Sequence, residues 1–408
     1  MHAEVPLLVM EGFTHFPIHQ FTQKPEQPHL QPKQQQLEQQ AQVSPIPNHP
    51  AFPHRKAPNN PSLPSLRPNP PAFTHNGPPL PLPHPRPPHP HPPHHRRPPH
   101  QHHRPLHPPP PPTKIHLLLL LHPLYRNQTF FTGLAKRTLG EFYDHSPLAR
   151  TQGLLVVTTD QRNHGERKVR EGASNHNWKK GNPNYAADLI SSYTGTALDA
   201  KMVVQWLPAY LPQLRDDEGG SRVGKVLVAG VSLGGHATWV SLLEEGFCDA
   251  GCVIVGCADY RKLMEHRAEV MGVESYKASP DTFWGGSKEV PRVLVEQIGK
   301  TDPASRWAGD KEEVVRRLRG KRILALEGAA DEEVPPGFSE EVYAEMLGEG
   351  VRLEVRRWEG VGHVCTDEMA GVFTEWVRSV VQEDGAVAGG PVVEKLHGGQ
   401  AGRTKSSL

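Results

Sequence analysis

Cysteine is scarce in this chain, with four in 408 residues: Cys248, Cys252, Cys257 and Cys365. Three cluster around one expected strand and none has the paired spacing of a zinc site, which excludes a disulfide scaffold and favours buried, reduced thiols. Such thiols suit a cytoplasmic protein. Long apolar runs are missing as well. Leu117–Leu121 is far too short to span a bilayer, so no membrane span is expected. The start, Met1-His2-Ala3-Glu4, lacks the basic and apolar segments of a signal peptide. Charge of one sign is not in excess, because 45 Lys and Arg face 44 Asp and Glu for a net +1. That balance gives no reason to expect a nucleic-acid partner or an acidic membrane surface. No internal repeat is visible, which removes solenoids and propellers.

Apolar residues are also lacking in one particular stretch. Residues 1–112 hold about three quarters of the 44 prolines and roughly two thirds of the 25 histidines, with a glutamine-rich patch at Gln34–Gln42. Too little apolar surface is present there to offset the entropy of ordering, so a disordered arm is expected. Its histidines (84, 89, 91, 94, 95, 100, 102, 103 and 107) could bind transition metals loosely, but a solvated linker is the simpler reading. The proline runs near Pro108–Pro112 have the form of a polyproline II ligand for SH3 or WW domains. Residues 383–408 read as a flexible tail, ending in Ser406-Ser407-Leu408, a weak likeness to a peroxisomal address.

What is present lies in residues 113–382. Continuous apolar runs alternate with amphipathic segments: strands at Ile115–Leu121, Gly153–Thr158, Val226–Ala229, Gly251–Val255, Arg322–Leu326 and Val351–Trp358, with helices between them. This alternation predicts an α/β fold, a doubly wound and mostly parallel sheet of about six strands. Residues 257–305 break the pattern and are expected to form a small cap insertion.

Three short motifs carry chemistry. Gly230-Val231-Ser232-Leu233-Gly234 fits G-x-S-x-G and sits between an apolar strand and a helical segment, the context of a nucleophile elbow. Asp331 follows the strand at Arg322–Leu326, and His363 follows Val351–Trp358. All three thus fall at carboxyl ends of strands, where doubly wound sheets place their crevice. A serine hydroxyl is a poor nucleophile, so His363 would take its proton and Asp331 would hold the imidazole. Glu332 and Glu333 adjoin Asp331 and compete for its role. His236 is close in sequence but is expected to pack or cap, while His266 falls in the cap and His397 in the tail.

Together with Asp160-Gln161-Arg162-Asn163-His164-Gly165 after the second strand, these motifs resemble the α/β-hydrolase superfamily. The likeness is to esterase and dienelactone-hydrolase-like members near the prolyl oligopeptidase catalytic domain. It implies an α/β-hydrolase fold and a Ser232–His363–Asp331 triad acting without cofactor or metal. Asp160 and Arg162 would be structural. It further implies an oxyanion hole, built here from the N–H groups of Leu233 and Leu124. The chain departs from the usual pattern at His122-Pro123, where proline removes one donor. The expected activity is that of a carboxylesterase-type serine hydrolase on a small-molecule ester. A prolyl-oligopeptidase-like peptidase is the rival enzyme, and a non-catalytic binding protein on a hydrolase scaffold is the rival outside catalysis.

Overall fold

The computed structural model describes residues 7–10, 111–169, 175–383 and 392–396. Strands are β1 (Leu7–Met10), β2 (Lys114–Leu121), β3 (Gln152–Thr159), β4 (Val223–Val231), β5 (Ala250–Ile254), β6 (Arg322–Gly328), β7 (Leu353–Trp358) and β8 (Val392–Leu396). They form one sheet in the order β1-β3-β2-β4-β5-β6-β7-β8, and every neighbouring pair is parallel. The six strands expected from the sequence, β2 to β7, are the centre of this sheet. The edge strands come from segments that composition assigned to the disordered arm and the flexible tail. There Leu7–Met10 pairs with β3 and Val392–Leu396 with β7 through the backbone alone. The arm histidines, the proline runs up to Pro110, His397 and the C-terminal tripeptide lie outside the described residues.

Helices are α1 (Thr132–His145), α2 (Tyr185–Tyr210), α3 (Leu233–Leu242), α4 (Tyr260–Met271), α5 (Glu274–Ala278), α6 (Pro280–Gly286), α7 (Arg292–Thr301), α8 (Pro303–Gly309), α9 (Lys311–Leu318), α10 (Glu340–Gly348) and α11 (Asp367–Gln382). Strands buried on both faces need helices on both sides, which is why β2 reads as an unbroken leucine run. Its alternate residues serve opposite layers. Leu117, Leu119 and Leu121 pack with α2, α3, α9 and α10, whereas Leu118 and Leu120 pack with α1 and α11. No helix among the described residues is long and apolar enough to cross a membrane.

The expected insertion is helical. Helices α4 to α8 lie between β5 and β6, and their apolar side chains (Tyr260, Met264, Phe283, Leu294, Ile298) join Tyr185, Leu189 and Tyr193 of α2 and Leu233 of α3 in a third cluster. Aspartates start three of the helices in this region: Asp259, Asp302 and Asp310 accept from Lys262, Ser305 and Glu313 N–H respectively. The chain therefore folds as a doubly wound, parallel α/β sheet with helices on both faces. Strand β3 lies on one side of β2 and β4 on the other, so the loops after β2 and β4 meet at the switch point of the sheet.

Candidate active site

Ser232 ends β4 with φ 53° and ψ −112°, a conformation that L-residues adopt at a cost of about 1–3 kcal/mol. The surroundings fix it there. Ser232 N–H donates to Ile254 O at 2.9 Å, and its carbonyl accepts from His236 N–H at 3.0 Å. The turn is so tight that a Cβ on Gly234 would lie 1.8 Å from the Leu121 carbonyl oxygen, and one on Gly230 would lie 2.3 Å from the Gly234 backbone. Glycine at both positions is thus a steric requirement of strand and helix meeting at the serine.

Asp331 and His363 come from neighbouring loops after β6 and β7. Ala329 N–H donates to Trp358 O at 2.9 Å and Ala330 N–H to Val361 O at 2.9 Å, which ties the two loops together. Gly328 permits this approach, since a Cβ there would sit 2.4 Å from Val361 O. Ser232 Oγ donates to His363 Nε2 at 2.8 Å, and His363 Nδ1 donates to Asp331 Oδ2 at 2.7 Å. The other oxygen, Asp331 Oδ1, accepts from the N–H groups of Glu333 and Val334 at 2.9 Å each. Asp331 is buried and Ser232 and His363 are half-buried, so the relay reaches from the interior to the crevice. Glu332 and Glu333 are exposed and neither meets His363, which leaves Asp331 alone in that position.

The other histidines have different employment. His236 is buried; its Nδ1 faces both backbone groups of Cys257, at 3.1 Å to the oxygen and 3.2 Å to the nitrogen, and its ring stacks on Tyr193. Burial pushes its pKa down to about 3, with Arg267 adding to the effect. His266 approaches Glu332 O at 3.2 Å and so braces the Asp331 loop.

The loop after β2 is built by residues whose part the sequence did not disclose. His122 Nδ1 donates to Pro123 O at 2.9 Å, and its Nε2 accepts from Gln161 N–H at 3.0 Å. Gln161 returns its side-chain amide N–H to His122 O and accepts from Thr196 Oγ1 at 3.2 Å. Burial holds His122 neutral, lowering its pKa to about 4. Tyr125 Oη donates to Asn175 O at 2.7 Å and pins the far end of the loop. Leu124 and Leu233 then share a wall of one small cavity of about 10 Å³, room for a single water-sized group. Leu233 is the first residue of α3, so its N–H has no intrahelical partner. Asp160 and Arg162 are structural in their contacts. Asp160 accepts from Gln128 and Glu166 N–H, and Arg162 pairs with Asp199 at 2.8 Å.

The candidate site thus sits at the carboxyl ends of the strands of a parallel α/β sheet. No protein-family model and no curated protein matches the chain. Among solved structures it is similar to TT1662 from Thermus thermophilus, at 22% identity and TM-score 0.44 over 66% of this chain and 91% of that one. It is similar also to esterase PE8, at 13% and 0.38 over 66% and 93%, and to Arabidopsis thaliana SOBER1, at 13% and 0.35 over 65% and 98%. The fold assignment stands on the strand order and crossovers of this chain.

Proposed function

We propose that this chain is a serine hydrolase of carboxylic esters, with Ser232 as nucleophile, His363 as general base and acid, and Asp331 as the group that orients the imidazole. The observation that carries this reading is the continuous relay of 2.8 Å and 2.7 Å from a strained serine through His363 to Asp331. Ser232 Oγ attacks the acyl carbon while its proton moves to His363 Nε2. The resulting imidazolium is stabilised by Asp331, whose second oxygen is already engaged by two backbone N–H groups. Negative charge on the former carbonyl oxygen falls to the N–H groups of Leu233 and Leu124; one such donor is worth about two to three orders of magnitude in turnover. His363 next protonates the departing alkoxide, leaving an acyl-enzyme at Ser232. Water, deprotonated by the same imidazole, releases the acid and restores the serine.

In this reading Leu124 supplies the donor that Pro123 lacks: the carbonyl of Pro123 accepts from His122, and Leu124 lines the same small cavity as Leu233. A series of 4-nitrophenyl esters of increasing chain length, run with wild type and Ser232→Ala, tests the proposal. Turnover lost by at least about 10⁴-fold in the variant is expected; equal turnover by both proteins would refute the assignment.

A further inference from the structure

Helix α2 differs from the other surface helices in what it leaves outside. The exposed positions of α9, α10 and α11 are mostly charged, among them Lys311, Arg316, Glu341, Asp367 and Glu375. None of the exposed residues of α2 carries a charge. Leu198, Met202 and Trp206 are instead 44%, 50% and 59% exposed, and Tyr210 continues the row one turn further on. A spacing of four residues sets these side chains in one ridge along the helix. The charged side chains beside the ridge are already engaged with other elements. Asp199 pairs with Arg162 and Arg167 at 2.8 Å each, and Lys201 pairs with Glu244 at 3.1 Å.

An apolar ridge of Leu, Met, Trp and Tyr inside a rim of closed ion pairs has the composition of a protein interface, where aromatic residues and Met are enriched and Lys and Glu depleted. Two features choose the occupant. The first is self-complementarity. About a two-fold axis at Met202, Trp206 of one copy meets Leu198 of the other at both ends, a large side chain against a smaller one. Ridges of this four-residue spacing interlock at a crossing angle of about −50°. The second is area. With about 150–250 Å² on each large side chain, the exposed parts of the four come to roughly 400 Å² per copy. The exposed, uncharged Gln205, Ala209 and Gln213 bring the patch toward the size of a stable interface, about 800 Å² per partner. We propose that this face of α2 is the contact surface of a homodimer, with two copies of the chain packed ridge to ridge about Met202. The inference is independent of the hydrolase reading: at about 1.5 Å per residue, Met202 lies about 25 Å along α2 from Tyr185 at the small cavity.

Sedimentation equilibrium of the full chain is the test. Wild type at about 50 μM should show a mass of twice the 45.2 kDa chain. Met202→Glu sets two carboxylates against each other on the axis and should weaken the pair at least about 100-fold. Leu198→Glu and Trp206→Lys, each alone, place a charge against an apolar side chain and should weaken it at least about tenfold. An equimolar mixture of those two variants should associate at least about tenfold more tightly than either one, because position 198 of one copy faces position 206 of the other. Recovery in the mixture also shows that neither substitution unfolded the chain. A single-chain mass for wild type at about 200 μM would mean that another occupant covers the ridge, and would overturn the proposal. A pair that persists in Met202→Glu, or a mixture no tighter than its components, would overturn it as well.

Discussion

Asp331→Asn is the most exacting perturbation of the site, because the surroundings dictate which way the new amide must turn. In the native loop Oδ1 accepts from Glu333 and Val334 N–H, and Oδ2 accepts from His363 Nδ1. An amide that pointed its NH₂ at two backbone N–H groups would leave three donors facing one another, so its oxygen must stay at the Oδ1 position. The NH₂ group then faces His363, whose Nδ1 must become an acceptor. The ring proton moves to Nε2 and is directed at Ser232 Oγ, where a base is needed. Fold and packing should hardly change, but the base is lost. Turnover should drop about 10⁴-fold, equivalent to about 5.4 kcal/mol of transition-state stabilisation. The assay is 4-nitrophenyl acetate hydrolysis, with a urea unfolding curve for each protein to show that stability is kept. Glu332→Gln and Glu333→Gln, made in parallel, should stay within about threefold of wild type. An Asp331→Asn enzyme within about tenfold of wild type, at matched stability, would refute the reasoning and return the acid to one of its neighbours.

Gly234→Ala should be destabilising by more than about 4 kcal/mol, because its Cβ would collide with a backbone carbonyl that cannot move without displacing β2; a urea midpoint close to wild type would contradict this. Stability should also fall with acidification. His122 and His236 are held neutral in the folded chain, at about 4 and about 3, while the unfolded chain binds their protons below about 6.5. The unfolded state therefore gains protons first as pH drops, and each residue should remove about 2 kcal/mol of stability by pH 5. Urea midpoints measured from pH 7.5 to 5 should decline, and His122→Gln should flatten the decline; a pH-independent midpoint would count against burial as the cause.

Much of the fold was legible because its signals are local. The leucine run of β2 and the short apolar strands β4 and β6 are bounded by turn residues, and burial on both faces leaves no other use for such runs. Ser232, Asp331 and His363 could be read because each follows a strand end, and parallel strands bring those ends to one rim. Other features had no sequence signal. Val255 takes φ 44° although it is β-branched, next to Gly256, which lies against Gly235 of α3. The network of His122, Gln161 and Thr196 joins residues that only the folded sheet brings together. Residues 257–305 looked irregular because five helices divide the apolar residues of that stretch among them, leaving no single long period to detect. Edge strands β1 and β8 rest on backbone pairing of four and five residues, too little sequence to stand out from the polar segments around them.

The central claim, that Ser232 is a nucleophile activated by His363, is met most directly by labelling with a fluorophosphonate and locating the adduct by peptide mass spectrometry. Modification at Ser232 alone, slowed by at least about 10³-fold in His363→Ala and absent in Ser232→Ala, is the predicted result. Label found on another residue, or undiminished in the Ser232→Ala protein, would contradict it.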